Sequence, residues 1–555
     1  MLRPALCDNL QNNVAAKTTE HQYNLSASNT TFESPALPSL ANQESQFRSQ
    51  VGRISRHSTV FFAGTLFTAA AGYLFKIYVA RVLGADGLGI YALGMTIVGF
   101  LGIFNGLGLP QAATRFVAAY SATGQWQRLH LFLRRMSTLL LFANGVLAVV
   151  IVLAGPWMAQ RIYHAPALVP YLPYFAALLA LGGLSTFCGQ ILAGYKDVAI
   201  RTVVTNFIGS PLNIVVGVIV LSAGFALRGY LFSQAVAGAV VLLLLAMIAW
   251  KMTPPQARRP PGNPVVMERE VFWFSTAALG VSFLEFILAQ TDKVVLGVFL
   301  NVREVGIYAV ATTLVAFIPI ALQSVNQIFA PTIADLHARG ERNLLGRLFQ
   351  TFTKWVFGLT LPLAFVAMIF SRPLMLLFGP AFGAGWAVLV VGTLGQLINT
   401  GVGSVGYLLL MSGNQSRLIR VQAMMALFAV AATVALVRPF GMLGVAFAAA
   451  LTNAFTNYFC LREVRVALQL SPYNRTYFRL ILPALASLGV TLGIKVLVAH
   501  LEPQWFWIVV TLLISYAAFC GLTLLYGFDN DDKMIVGAVR DRVRGTISKS
   551  LSFSQ

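Results

Sequence analysis

Apolar residues come in blocks of twenty or so, separated by short polar stretches, from Val60 almost to Phe528. About 20 apolar residues of helix cross the roughly 30 Å of hydrocarbon in a bilayer. On that spacing the chain predicts fourteen spans. Six lie near 59–81, 88–111, 131–154, 170–194, 202–222 and 229–250, and a polar, Pro-rich break follows, KMTPPQARRPPGNP at 251–264. Six more lie near 271–299, 305–330, 351–371, 385–411, 418–437 and 442–462, and two close the chain near 477–499 and 505–527. The short alternating segments of a membrane β-barrel are not seen. The expected class is an all-α polytopic membrane protein, because a helix satisfies its own backbone hydrogen bonds in lipid.

Lys and Arg set the expected orientation. The loops on one side hold Arg128, Arg134 and Arg135, then Arg201, then Arg258 and Arg259, then Arg339, Arg342 and Arg347, then Arg417 and Arg420. The opposite loops hold about one each: Arg81, Arg161, Arg228, Arg303, Arg372 and Arg438. By the positive-inside rule both termini are cytoplasmic, which requires an even number of spans. The opposite loops are short, so no extracytoplasmic domain is expected.

The two groups of six resemble each other. GLGIYALGMTIVGF (87–100) matches EVGIYAVATTLVAF (304–317), with GIYA offset by 217 residues. LAGYKDVAIR (192–201) pairs with MSGNQSRLIR (411–420), and RGYLFSQA (228–235) more weakly with LGVAFAAA (443–450). Six spans followed by six similar spans run in the same direction, which makes two parallel-repeat six-helix lobes about an axis along the membrane normal. The predicted organisation is a disordered tail (1–57), a first lobe (58–250), a linker (251–270), a second lobe (271–465), two additional helices (466–528) and a cytoplasmic tail (529–555).

The repeat relates two charges. Lys76 precedes Gly89 by thirteen residues, and Lys293 precedes Gly306 by thirteen. An ammonium in a span faces an aqueous or protein interior, or snorkels to the headgroups from a helix end. Lys76 lies about 18 residues into its helix, roughly 27 Å along it, where snorkelling is easy; the matched pair favours a cavity between the lobes. Glu285 falls near the middle of the seventh span, and Asp292 follows two turns later beside Lys293. Such acids pair with cations, bind a coupling ion, or serve structure. Amides recur in the spans, among them Asn105, Asn213, Gln234, Asn326, Gln396 and Asn453. They suit interhelical bonding and a wet interior.

Composition agrees and excludes alternatives. Of 555 residues 57% are hydrophobic and 10% charged, against roughly 25% charged in soluble domains. The formal charge of +20 is spread over loops, so it reports topology and not nucleic-acid binding. Cys7, Cys188, Cys460 and Cys520 have no metal-ligand spacing. There is no P-loop. GVGSVG (401–406) fits a dinucleotide-binding pattern but sits inside an apolar span, where close helix packing or a flexible point is the better reading. No cofactor is expected.

FFAGTLFTAAAGYLFKIYVARVLGADGLGIYAL, GLGLPQAATRFVAAY (106–120) and DKVVLGVFLNVREVGIYAVA (292–311) resemble the polysaccharide-transport branch, O-antigen and exopolysaccharide flippases, of the multidrug/oligosaccharidyl-lipid/polysaccharide exporter superfamily. The resemblance covers roughly 59–465. It implies a V-shaped, non-enzymatic transporter of polyprenyl-pyrophosphate-linked oligosaccharide in a bacterial inner membrane, working beside polysaccharide assembly proteins. Drug-exporting relatives often carry an acid in the first span; Lys76 is present here instead. Lys76, Lys293 and Arg115 are the expected substrate-facing cations, with Glu285 and Asp292 as ion-coupling or structural acids. Arg115, near the cytoplasmic end of its span, also fits an ordinary topology signal. An ion-coupled small-molecule exporter of the same fold and a polysaccharide polymerase or ligase are the competing readings.

Overall fold

A computed structural model describes residues 40–195, 197–258, 269–498 and 500–525, which are helical almost throughout, with no strand among them. The principal helices are α1 (Leu40–Asn105), α2 (Leu109–Ala122), α3 (Trp126–Trp157), α4 (Leu172–Gly194), α5 (Ser210–Ser222), α6 (Ala226–Met252), α7 (Arg269–Phe299), α8 (Val302–Val315), α9 (Ile320–Ala338), α10 (Arg342–Ile369), α11 (Trp386–Val402), α12 (Val405–Met411), α13 (Gln415–Leu468), α14 (Ile481–Leu497) and α15 (Gln504–Leu525). Among the described residues ten helices are long and apolar enough to cross a membrane, or eleven if the bent pair α8–α9 counts as one. Residues 1–39 of the expected tail, 259–268 of the expected linker and the C-terminal segment 529–555 lie outside the described residues. Residues 40–57, also within the expected tail, are helical. The chain divides into Met1–Phe62 and a large unit, Ala63–Gln555, which holds the core.

Two helices are hairpins. A straight α13 of 54 residues would run about 81 Å, far beyond a bilayer. Arg417 and Glu463, at its two ends, form a 2.7 Å ion pair, and the rings of Phe428 and Phe455 lie 5.2 Å apart. The reversal is at Gly441, whose backbone (φ 56, ψ -137) is non-helical. α1 reverses in the same way. Phe75 and Tyr91 both pack on the Tyr230 ring, at 6.1 and 5.1 Å, whereas a straight helix would separate them by about 24 Å. The break is Gly84, at φ 65. Glycine carries this left-handed geometry without the Cβ penalty, so one residue does the work of a loop.

The two repeats share one core at one end and have separate cores at the other. Phe75, Leu93, Tyr230, Val305, Tyr308, Phe382 and Val437 belong to a single buried cluster. Farther away, Phe116, Phe132, Phe187 and Leu245 form a cluster within the first repeat, and Phe329, Phe349, Leu408 and Val464 form one within the second. α8 and α9 bend by 53° at Pro319, which lacks an amide hydrogen to continue the ladder. The last two helices pack on α10: Leu480 and Phe519 meet Leu361, and Val498 and Ile508 meet Phe370. They join each other through Ser487, Thr491 and Ser515 hydroxyls at 2.6–3.0 Å, the small-residue, polar-linked packing that holds helices together in lipid.

GVGSVG is the break between α11 and α12. Gly403 has φ 79, and a Cβ there would overlap Thr353 Oγ1. The Ser404 hydroxyl donates to Asn326 Oδ1. Close packing and a backbone break occur together at this motif.

Candidate functional site

The repeats meet through their shared sequence. A Cβ on Gly89 would overlap the carbonyl oxygen of Val302, and one on Gly306 would overlap that of Ala85. Ala85 and Val302 are themselves 217 residues apart, as are Gly89 and Gly306. Each glycine therefore packs on the repeat-equivalent of its counterpart's partner, the self-complementary contact of a two-fold axis. Around it, Tyr73 packs edge-on against Phe317 at 4.8 Å, and Arg81 Nε donates to the Leu377 carbonyl at 2.8 Å. α7 follows the second arm of α1 away from this end: Gly297 meets Leu93, Phe286 packs 5.8 Å from Phe100, and Ser275 lies against Gly108 just beyond that arm.

Both lysines flank this closure. Lys76 is eight residues before Gly84 and Lys293 eight before Asn301, so each lies about 12 Å below its chain reversal. Lys76 is exposed and has no hydrogen-bond or ion-pair partner among the described residues. Lys293 is half-buried, and its Nζ donates to Gln290 Oε1 at 3.0 Å. It does not bridge to its neighbour Asp292.

Asp292 instead accepts the Lys293 backbone N–H at 2.8 Å, and its carboxylate lies beside the phenol of Tyr308, which is 1% exposed. Tyr308 is the Tyr of the second GIYA. The Tyr of the first, Tyr91, bonds to Gln234, whose Nε2 donates to the phenol at 3.0 Å. The position equivalent to Asp292 is Phe75, buried against Tyr230. One repeat thus sets an acid beside its tyrosine, the other a hydrogen-bonded amide. Removing one partner from a buried polar pair costs about 1–3 kcal/mol. Tyr308→Phe is therefore expected to lower the thermal midpoint of the purified protein more than Tyr91→Phe does. Asp292→Asn together with Tyr308→Phe should cost less than the sum of the single changes, read by a double-mutant cycle.

Glu285 is exposed on α7, beside Phe286. The structure does not bring Arg115 to the lysines. It is on α2, beyond the left-handed residues Leu107 and Gly108 and past the far end of the α1 hairpin, with its guanidinium 5.4 Å over the Phe116 ring. A separate cavity of about 410 Å³ lies within the first repeat, its wall largely apolar but carrying Ser185, Thr205, Ser210, Asn213 and Gln234. Its wall includes a widened, π-helical stretch, Val203–Gly209. Pro211 follows two residues on and cannot donate to the ordinary ladder, which is the physical reason for widening. Sequence reasoning noted Asn213 and Gln234 but missed Ser185, Thr205 and Tyr91; Pro211 inside an apolar span was the available signal.

The sequence profile described as "Polysaccharide biosynthesis protein" matches residues 54–337. The probable low-salt glycan biosynthesis flippase Agl15 of Haloferax volcanii is 23% identical over 72% of this chain and 81% of its own length. The succinoglycan biosynthesis transport protein ExoT of Rhizobium meliloti is 25% identical over 56% of this chain and 59% of its own. Among solved structures, an inward closed conformation of the lipid II flippase MurJ superposes with a TM-score of 0.66 at 13% identity, covering 84% of this chain and 98% of that one. An inward-facing multidrug resistance transporter of the MATE family gives 0.57 at 16%, over 72% and 94%. The fold is the one that these two transporters share. The chain belongs to the polysaccharide biosynthesis protein family and shares its fold with the MurJ and MATE transporters.

Proposed function

We propose that the protein flips a polyprenyl-pyrophosphate-linked oligosaccharide from the cytoplasmic to the outer leaflet of a bacterial inner membrane. The observation that carries this reading is the self-complementary Gly89/Gly306 contact, with a repeat-related lysine about 12 Å below each chain reversal. It ties two equivalent lobes at one end, and their cores separate toward the other. This is the arrangement a V-shaped transporter needs to expose one site alternately to two sides. Dividing the hairpins at Gly84 and Gly441, and counting α7 and the α8–α9 pair, brings the spans to fourteen. The lobes are then 58–250 and 271–465, with the extra pair within 466–528.

The chemistry supports the substrate class. A pyrophosphate cannot cross bare hydrocarbon, because desolvating an unpaired charge costs on the order of tens of kcal/mol. Lysines and amides replace its water while the polyprenyl tail stays in lipid. An inside-negative potential favours outward movement by about 2.3 kcal/mol per charge per 100 mV. The Agl15 and ExoT likenesses favour a glycan precursor over a drug. Depletion should accumulate lipid-linked precursor on the inner leaflet, measured with a leaflet-selective probe. Precursor found outside but unpolymerised would overturn the proposal in favour of polymerisation.

Orientation has its own test. Cysteines at Arg258 and Arg417 are expected to be shielded from an impermeant thiol reagent in intact cells, and cysteines in 372–385 to label. The reverse pattern would invert the topology and with it the direction of flipping.

A further inference from the structure

A second cationic pocket lies where the last two helices join the second repeat. Its volume is about 660 Å³, and its polar lining includes Arg372, Lys495 and Gln504, with Trp386 beside them. Arg372 comes from the short helix Ser371–Leu376, Trp386 opens α11, Lys495 is in the last turn of α14, and Gln504 opens α15. Four separate chain segments therefore converge on one concavity.

Among the described residues neither cation has a carboxylate partner or a hydrogen bond. Lys495 Nζ lies 4.7 Å over the Phe370 ring, a contact that orients the ammonium without neutralising it. The acid nearest in the chain, Glu502, accepts the Gln504 backbone N–H at 3.1 Å. Two like charges in one pocket repel unless an anion lies between them. The depth specifies the anion. Lys495 is at the end of its span, and Trp386 and Trp505, 48% and 56% exposed, mark the interface that tryptophan favours. Below them α14 exposes Leu485 and Leu492, apolar surface for an acyl or prenyl chain.

We infer that this pocket binds the phosphate of a membrane lipid, with the Arg372 guanidinium as a forked donor, Lys495 as a point charge and the lipid chain along α14. Arginine suits two phosphate oxygens at once, and lysine adds charge without fixed geometry. The site is distinct from the lysines between the lobes, and the inference does not depend on which leaflet it faces. An ordinary anionic phospholipid and the polyprenyl carrier present the same chemistry, so the test separates them.

The full-length protein, purified in neutral detergent, is titrated with phosphatidylglycerol, with undecaprenyl phosphate, and with uncharged diacylglycerol as control. Bound lipid is counted by native mass spectrometry. Binding of either phosphate lipid but not of diacylglycerol is expected. Arg372→Ala and Lys495→Met should each weaken it about tenfold, the size of one charge-assisted hydrogen bond, and Arg372→Lys should weaken it less. Methionine keeps the apolar stem over Phe370, and Arg372→Glu, at an exposed position, supplies a variant that does not disturb that packing. Preference for phosphatidylglycerol identifies a bilayer lipid, and preference for undecaprenyl phosphate the carrier. Equal lipid binding by wild type, Arg372→Glu and the Arg372→Ala/Lys495→Met double variant would overturn the assignment.

Discussion

Gly306→Val is expected to reduce flipping by about tenfold to a hundredfold without unfolding either repeat. The obstacle is backbone: a Cβ at 306 would enter the space of the Ala85 carbonyl, and a carbonyl at a chain reversal cannot rotate away as a side chain can. Overpacking of this kind costs about 1–3 kcal/mol, which spans that range of rate. Each repeat has its own buried cluster away from the contact, so the effect should fall on how the repeats meet. Gly89→Val should match it, because Gly89 makes the equivalent contact with Val302. The two changes together should be less than additive, since the first already opens the shared interface. Cysteines at Tyr73 and Phe317, whose rings are 4.8 Å apart, should be joined readily by a short bifunctional maleimide in the parent and poorly in Gly306→Val. Gly145→Ala serves as control, because a Cβ there meets nothing within 4 Å. Wild-type flipping and cross-linking in Gly306→Val would remove the basis for a hinge at this point.

These glycines also show what a single sequence reveals. The GIYA repeat was legible because both copies serve one crossing and must keep the same small residue there. The apolar blocks were legible because hydrocarbon thickness sets their length. The reversals near residues 84 and 441 were visible as breaks in hydropathy, but their tightness was not. A one-residue turn at positive φ leaves no loop to read, only a glycine among many. The pairing of Tyr308 with Asp292 was hidden for a different reason. Asp292 stands next to Lys293 in the chain, which invites pairing, yet successive helical residues do not face each other. Its partner is sixteen residues away, across the break at Asn301. Arg115 was drawn in by family likeness, although its position near the cytoplasmic end of its span already offered the other reading; the turn at Leu107 and Gly108 carries it past the α1 hairpin.

Lys76→Gln and Lys293→Gln are each expected to slow flipping by about tenfold or more while leaving protein level and insertion unchanged. Folding should tolerate both. Lys76 is exposed and partnerless among the described residues, and Lys293 gives up one bond, to Gln290, that a glutamine can partly replace. The loss should fall on the transported anion. A lysine to a pyrophosphate is a charge-assisted contact, worth about 1.5–3 kcal/mol, and glutamine at the same place offers only a neutral donor. Arginine at either position should retain part of the activity, because it keeps the charge and changes only the shape. The two sites lie on equivalent helices of the two repeats, eight residues from their reversals. A head group passing between the lobes would meet both, so the double variant should be slower than either single one. Snorkelling makes the opposite forecast: neutral glutamine relieves the membrane of a charge, and transport stays as it was. If both glutamine variants flip lipid-linked oligosaccharide in proteoliposomes at the wild-type rate, the lysines are anchors and the cavity lies elsewhere. The cavity that carries Ser185, Thr205, Asn213 and Gln234 is then the next place to mutate.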